Sequence, residues 1–138
     1  MSDSQQAEVV SCIVCEGVRP ELGGKATILG FGGVLPYVDM GIKDLPAKLS
    51  NLTLLILIKG SGSAPANLLI LNPDGTAADP SEGTEIQLDW DGAGQVIGAS
   101  IGLSGFVANQ VGIYSVRFSL NERLIYESSF EISLAATE

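Results

Sequence analysis

Apolar and polar residues alternate with period two along most of this chain, and turn residues interrupt the alternating runs at short intervals. Helical periodicity is almost absent. The pattern therefore predicts an all-β domain of about eight strands, over residues 8–15, 25–31, 52–59, 67–71, 85–90, 95–103, 113–120 and 124–134. The last two are the most legible. Tyr114, Val116, Phe118 and Leu120 fall on one face, with Ser115, Arg117 and Ser119 on the other. Beyond Asn121-Glu122-Arg123 the run Leu124, Tyr126, Phe130, Ile132 and Leu134 alternates against Ile125, Glu127, Ser129, Glu131 and Ser133, which predicts an antiparallel hairpin.

Turn chemistry divides the rest. In Asn72-Pro73-Asp74-Gly75 the proline fixes φ and the glycine supplies a positive φ. Asp91-Gly92-Ala93-Gly94 reads as the tip of a hairpin between its flanking strands, and Gly60-Ser61-Gly62-Ser63 as a loop tip. Residues 34–51 hold Pro36 and Pro46 and resist assignment, apart from one helical turn expected over 44–49 with Asp44 as its cap. A connection of that length suits a chain crossing between the sheets of an antiparallel two-sheet β-sandwich, immunoglobulin-like or Greek-key. Residues 1–6 read as a flexible tail and 7–138 as a single domain, a length that can bury a core without disulfides or metals.

Several strands are apolar on both faces: Leu54, Ile56 and Ile58 oppose Leu55 and Leu57, and Ile70 opposes Leu69 and Leu71. A sandwich admits one face of each strand to its core. The other face then needs the 34–51 segment or a second chain as cover, so a homodimer through the sheet holding residues 52–58 is expected, with a protein partner as the rival occupant.

Composition narrows the function classes. Seven basic residues against sixteen acidic ones leave a net charge of −9, and six acids with no base lie between Lys59 and Arg117. Such a surface repels phosphate backbones and anionic lipid, so neither nucleic acid nor a membrane surface is an expected partner. The opening Met-Ser-Asp-Ser-Gln-Gln-Ala-Glu has neither the basic nor the apolar region of a secretory signal, and with two cysteines this points to the cytoplasm.

Cys15-Glu16-x-x-Arg19, Gly24-Lys25 entering the second predicted strand and Gly30 ending it resemble the opening of an uncharacterised bacterial family of small β-sandwich proteins, a domain of unknown function. Leu45-Pro46, Gly112-Ile113-Tyr114 and Phe130 extend the likeness over nearly the whole chain. The resemblance implies a fold and leaves activity open. Gly112-x-Tyr114 also looks like the tyrosine corner of immunoglobulin-like sandwiches.

The chain has no histidine, which removes the commonest general base and the commonest metal ligand together. Cys12 and Cys15 match Cys-x-x-Cys but lie inside a predicted strand, where residues three apart face opposite ways, about 10 Å apart; two reduced, unmetallated structural thiols are expected. Asp89-Trp90-Asp91-Gly92 opens like a calcium loop and then fails, since Ala93 and Ser100 stand where ligands are needed. A shared cation site of Asp74, Asp79, Asp89 and Asp91 is the alternative to plain acidic turns. Gly30-Phe31-Gly32-Gly33 lacks the helix of a phosphate loop and reads as a bulge or corner. The charged group worth nominating for binding is Glu16, Arg19, Glu21 and Lys25, where the first strand gives way to the second. These residues predict no catalytic group and no cofactor. The expected function is a non-catalytic binding or assembly module, the alternatives being a cation-dependent protein or enzyme using the acidic loops at 74–91, or a subunit of a larger assembly.

Overall fold

A computed structural model describes residues 7–49, 52–78, 84–92, 94–103 and 106–135. Thirteen strands are present among them: β1 (Glu8–Cys15), β2 (Gly17–Pro20), β3 (Ala26–Leu29), β4 (Gly33–Val34), β5 (Asp39–Ile42), β6 (Ala47–Leu49), β7 (Thr53–Gly60), β8 (Ser63–Leu71), β9 (Thr84–Asp89), β10 (Gln95–Gly102), β11 (Phe106–Ala108), β12 (Gly112–Leu120) and β13 (Arg123–Leu134). The protein is all-β. All eight expected strands occur within a few residues of their predicted bounds, and five short ones, β2, β4, β5, β6 and β11, are additional. The helical turn expected over 44–49 is absent, because Ala47–Leu49 is extended and pairs with β11. No helix of the described residues is long and apolar enough to cross a membrane.

The strands form more than two sheets. A four-stranded sheet runs β10-β7-β1-β4, a five-stranded sheet runs β5-β13-β12-β8-β9, and β11-β6 and β2-β3 are separate pairs. Pairing is antiparallel except between β13 and β5, which run parallel. The 34–51 segment does cross between the two larger sheets, from β4 on one to β5 on the other.

The predicted hairpin at Asp91 to Gly94 is replaced by a corner. β9 pairs with β8, whereas β10 pairs with β7, so the chain changes sheet there. It changes sheet again at Ser61-Gly62, between β7 and β8. Together the four strands make one long hairpin folded over at its middle, and the ladder continues through the fold by way of Trp90 N–H to the Gly62 carbonyl at 2.8 Å and Gly94 N–H to the Gly60 carbonyl at 3.1 Å. Trp90 fills this corner, buried, with its indole N–H donating to the Ile58 carbonyl at 3.1 Å. Gly60 faces the ring so closely that a Cβ would stand 2.7 Å from Trp90 Cζ2. Strands that bend from one sheet into the next at such corners curl the sheet around its own core.

One hydrophobic cluster draws on both larger sheets. Tyr114, Val116, Phe118, Leu120, Phe130 and Ile132 come from the closing hairpin, Leu54, Ile56 and Ile58 from β7, and Cys12 and Val14 from β1. The Tyr114 ring stacks on Phe130 at 5.4 Å and meets Phe106 edge-on at 6.0 Å. In β13 the expected face is buried at Phe130 and Ile132, whereas Leu124 and, at the strand's end, Leu134 are exposed. The register shifts between Phe118 and Ser119, Ile125 is the extra residue, and Leu124 comes out opposite Ser119 on the exposed face. Asn121 and Glu122 both take positive φ at the turn, as a two-residue hairpin requires.

The surplus apolar face of β7 is largely covered within the chain. Leu55 is 8% exposed and Leu57 is half-buried. Neighbouring β10 carries Gly98 at this level, and both leucines lie against it. The β2 strand lies beside β7 and β10, and the Thr53 hydroxyl donates to the Glu16 carbonyl at 3.3 Å.

Candidate functional site

Where β1 ends, a cleft of about 500 Å³ opens between Val14, Cys15 and Glu16 on one side, the Gly30-Phe31-Gly32 segment on another, and Met40, Lys48, Leu49 and Leu52 on the third. Four separate stretches of chain build it. β1 supplies Val14 and Cys15, β5 supplies Met40, and β6 supplies Lys48 and Leu49. The Glu16 N–H donates to the Leu29 carbonyl at 2.8 Å and the Gly32 N–H to the Val14 carbonyl at 2.7 Å, which draws the glycine-rich segment back over the end of β1. Gly30 has φ +61° and sits so close beneath the Glu16 side chain that a Cβ would meet Glu16 Cδ at 2.5 Å. The backbone favours glycine there, while the exposed Glu16 chain end has room to move aside from a larger residue. Beyond this segment, Gly33 pairs with Val14 at the edge of the four-stranded sheet.

The cleft's walls are apolar apart from Glu16 and Lys48. Phe31 remains 63% exposed, a large aromatic at the cleft. Cys15 is buried in the floor, and burial raises its thiol above the ordinary range. A thiol held protonated is a poor nucleophile. Among the described residues that line it, the cleft offers apolar surface together with the charges of Glu16 and Lys48.

The nominated group of four is only partly brought together. The Arg19 Nε donates to Glu21 at 2.9 Å and the Thr27 hydroxyl donates to the same carboxylate oxygen at 2.8 Å, bridging β2 to β3. The Thr27 hydrogen bond first and Arg19 second hold the Glu21 carboxyl below its usual range. Both ion-pair partners are exposed, so this is a surface cross-strand contact. Lys25 is exposed at the hairpin turn, where its carbonyl accepts from the Glu21 N–H at 2.8 Å. Glu16 belongs to the cleft. Sequence reasoning missed Phe31 and Lys48, and the available signal for Phe31 was an aromatic residue set among three glycines.

Among the described residues the nominated acids do not converge. Asp74 caps its own turn: it accepts from the Thr76 hydroxyl at 2.6 Å, the Thr76 N–H at 3.0 Å and Gln110 Nε2 at 3.0 Å. The Thr76 bonds in particular hold its carboxyl low. Asp89 accepts from the Ser63 hydroxyl at 2.7 Å, and Asp91 follows at the sheet corner. Asp74 and Asp89 thus lie at opposite ends of the β8–β9 pair, about 25 Å apart along the strands. Asp79 lies outside the described residues. Among the described residues no group of three histidines, cysteines or acids is placed to hold a metal ion.

Cys12 and Cys15 are both buried and unpaired in β1, Cys12 within the core and Cys15 at the cleft floor. Burial, with the nearby Cys15 adding to it, pushes the Cys12 thiol up to about 12. The tyrosine-corner likeness has a structural counterpart in the Tyr114 hydroxyl, which donates to the Gln110 carbonyl at 2.8 Å. Comparison of the chain with protein-family models and with curated proteins finds no match.

Proposed function

We propose that this protein is a non-catalytic binding module of the bacterial cytoplasm, with an immunoglobulin-like β-sandwich as its scaffold and the cleft at the end of β1 as its site. The occupant is an apolar side chain of a protein partner, flanked by charged groups that meet Glu16 and Lys48. The exposed Phe31 carries this reading, because an aromatic side chain left in water beside a pocket gains most from being covered. Supporting the scaffold are the core shared by two larger sheets, the crossing of 34–51 between them and the Tyr114 to Gln110 bond. The family resemblance agrees with the site, since Cys15, Glu16 and Gly30 of its motif all line the cleft.

A photoreactive phenylalanine analogue in place of Phe31, irradiated in cells, tests the proposal. One defined protein adduct, reduced several-fold by Lys48→Glu, is the expected result. The same adducts from an analogue placed at Gln87 on β9 would overturn it.

A further inference from the structure

We infer that β10 is the contact strand of a homodimer, in which two copies pair antiparallel along this edge and join their four-stranded sheets into one. The inference is independent of the cleft. It rests on a contrast among the sheet edges. An open edge strand offers unpaired backbone groups to any other strand, and natural edges are guarded by charge, shortness or a bulge. The β9 edge carries Glu85 and Asp89. The β5 edge has four residues, with Asp39 among them. On the far side of the four-stranded sheet, β4 covers part of β1, and the remainder of β1 carries Glu8 and a register break between Val9 and Ser11.

The β10 edge carries none of these devices. Gln-Val-Ile-Gly-Ala-Ser-Ile-Gly holds eight residues without a charge or a proline. All eight pair with β7 in unbroken register, so the strand is straight enough to receive another. The side chains point the same way. On the core face, Ile97 and Ala99 are half-buried, whereas their β7 partners Ile58 and Ile56 are fully buried. The core therefore thins toward this edge. On the outer face Gly98, Ser100 and Gly102 are small and exposed, and permit close approach.

A second copy of the chain is the occupant that fits. An antiparallel edge is complementary to itself about a two-fold axis, with no matching partner sequence needed. A register that sets Ala99 opposite its counterpart keeps core face beside core face in both copies, and it covers Ile97 and Ala99 twice. With a net charge of −9 per chain, two copies repel unless they meet on an uncharged strip, and β10 is such a strip.

Sedimentation of the full chain at low micromolar concentration, with and without Ser100→Lys, tests the inference. Native protein is expected as a dimer. Ser100→Lys places like charges diagonally near each other across the axis and is expected to weaken association by about three- to fivefold in Kd. Gln87→Lys, on the β9 edge, should leave the dimer intact. A circular-dichroism melt confirms that each variant folds, and Val96→Lys replaces Ser100→Lys should the latter not fold. A monomeric native protein, a Ser100→Lys variant that dimerises as the native chain does, or dissociation by Gln87→Lys would overturn the inference.

Discussion

The closing hairpin and the sheet around β7 bury their apolar residues by different means. In β12 each buried residue alternates with a polar or exposed one, and the Arg117 to Glu127 ion pair at 2.9 Å lies on the far face. In β7 only Lys59 is exposed, and Leu54 and Leu55 are both buried although they point opposite ways. Period-two alternation identifies a core face without further information. A continuous apolar run says that a second cover exists and leaves its identity open. Here much of that cover is supplied by neighbours in the same chain, with Gly98 making room on the adjacent strand.

Truncation of one side chain in each region separates the two modes of burial. Phe118→Ala, at a fully buried position in the shared core, is expected to cost about 3–5 kcal/mol in denaturant unfolding. Leu55→Ala lies on the face a plain sandwich would leave wet, and it should cost about 2–3 kcal/mol because its site is nearly as well buried. A loss under about 0.5 kcal/mol for Leu55→Ala, the surface value, would mean that the second cover contributes nothing.

The corner that links these two regions offers the next test. Gly60→Ala brings a methyl group into the face of the Trp90 ring, which is fixed by its bond to the Ile58 carbonyl. Overpacking of this kind costs about 1–3 kcal/mol. Trp90 is the sole tryptophan, so its fluorescence reports the change in the folded state as well as the unfolding curve.

Legibility followed the same division. Face assignment succeeded where one side of a strand met water, as at Val116 and Ile132, and failed at Leu124, where one bulge residue reversed the order. The Asp91 to Gly94 turn carried every mark of a hairpin tip. Its glycines serve a sheet change instead, and local chemistry is the same for both. Short strands such as β4 and β6, of two and three residues, exist through pairing with distant segments and have no periodicity of their own to read. The cleft was half visible: Glu16 and Gly30 stood out, while Lys48 and Met40 reach it only through the folding of 34–51.

The two cysteines sharpen the contrast through pH. In the folded protein the Cys12 thiol ionises near 12, against an unfolded value near 9. The unfolded state therefore releases its proton first as pH rises, and stability complete below about 9 is lost between 9 and 12, by up to about 1.4 kcal/mol per unit. Cys12→Ala should flatten that slope in unfolding measured across the alkaline range, whatever its effect at neutral pH. An unchanged slope would place the titrating group elsewhere. In the native protein at neutral pH neither thiol should react with a disulfide reagent, and denaturation should release two.

The smallest expected effect concerns the bond that ties the closing hairpin to the turn at the far end of β8. The Tyr114 hydroxyl donates to the Gln110 carbonyl, and the Gln110 side chain in turn donates to Asp74, so the segment before β12 is held at both ends. Tyr114→Phe keeps the ring stacked on Phe130 and removes the hydroxyl alone. The expected loss is about 0.5–1.5 kcal/mol, the ordinary net worth of one hydrogen bond. Gln110→Ala keeps the backbone carbonyl that Tyr114 uses and removes only the link to an exposed carboxylate, so it should cost less. A double variant that costs no more than Tyr114→Phe alone in denaturant unfolding would show that the hydroxyl and the side chain act as one unit, whereas additive losses would show two independent bonds.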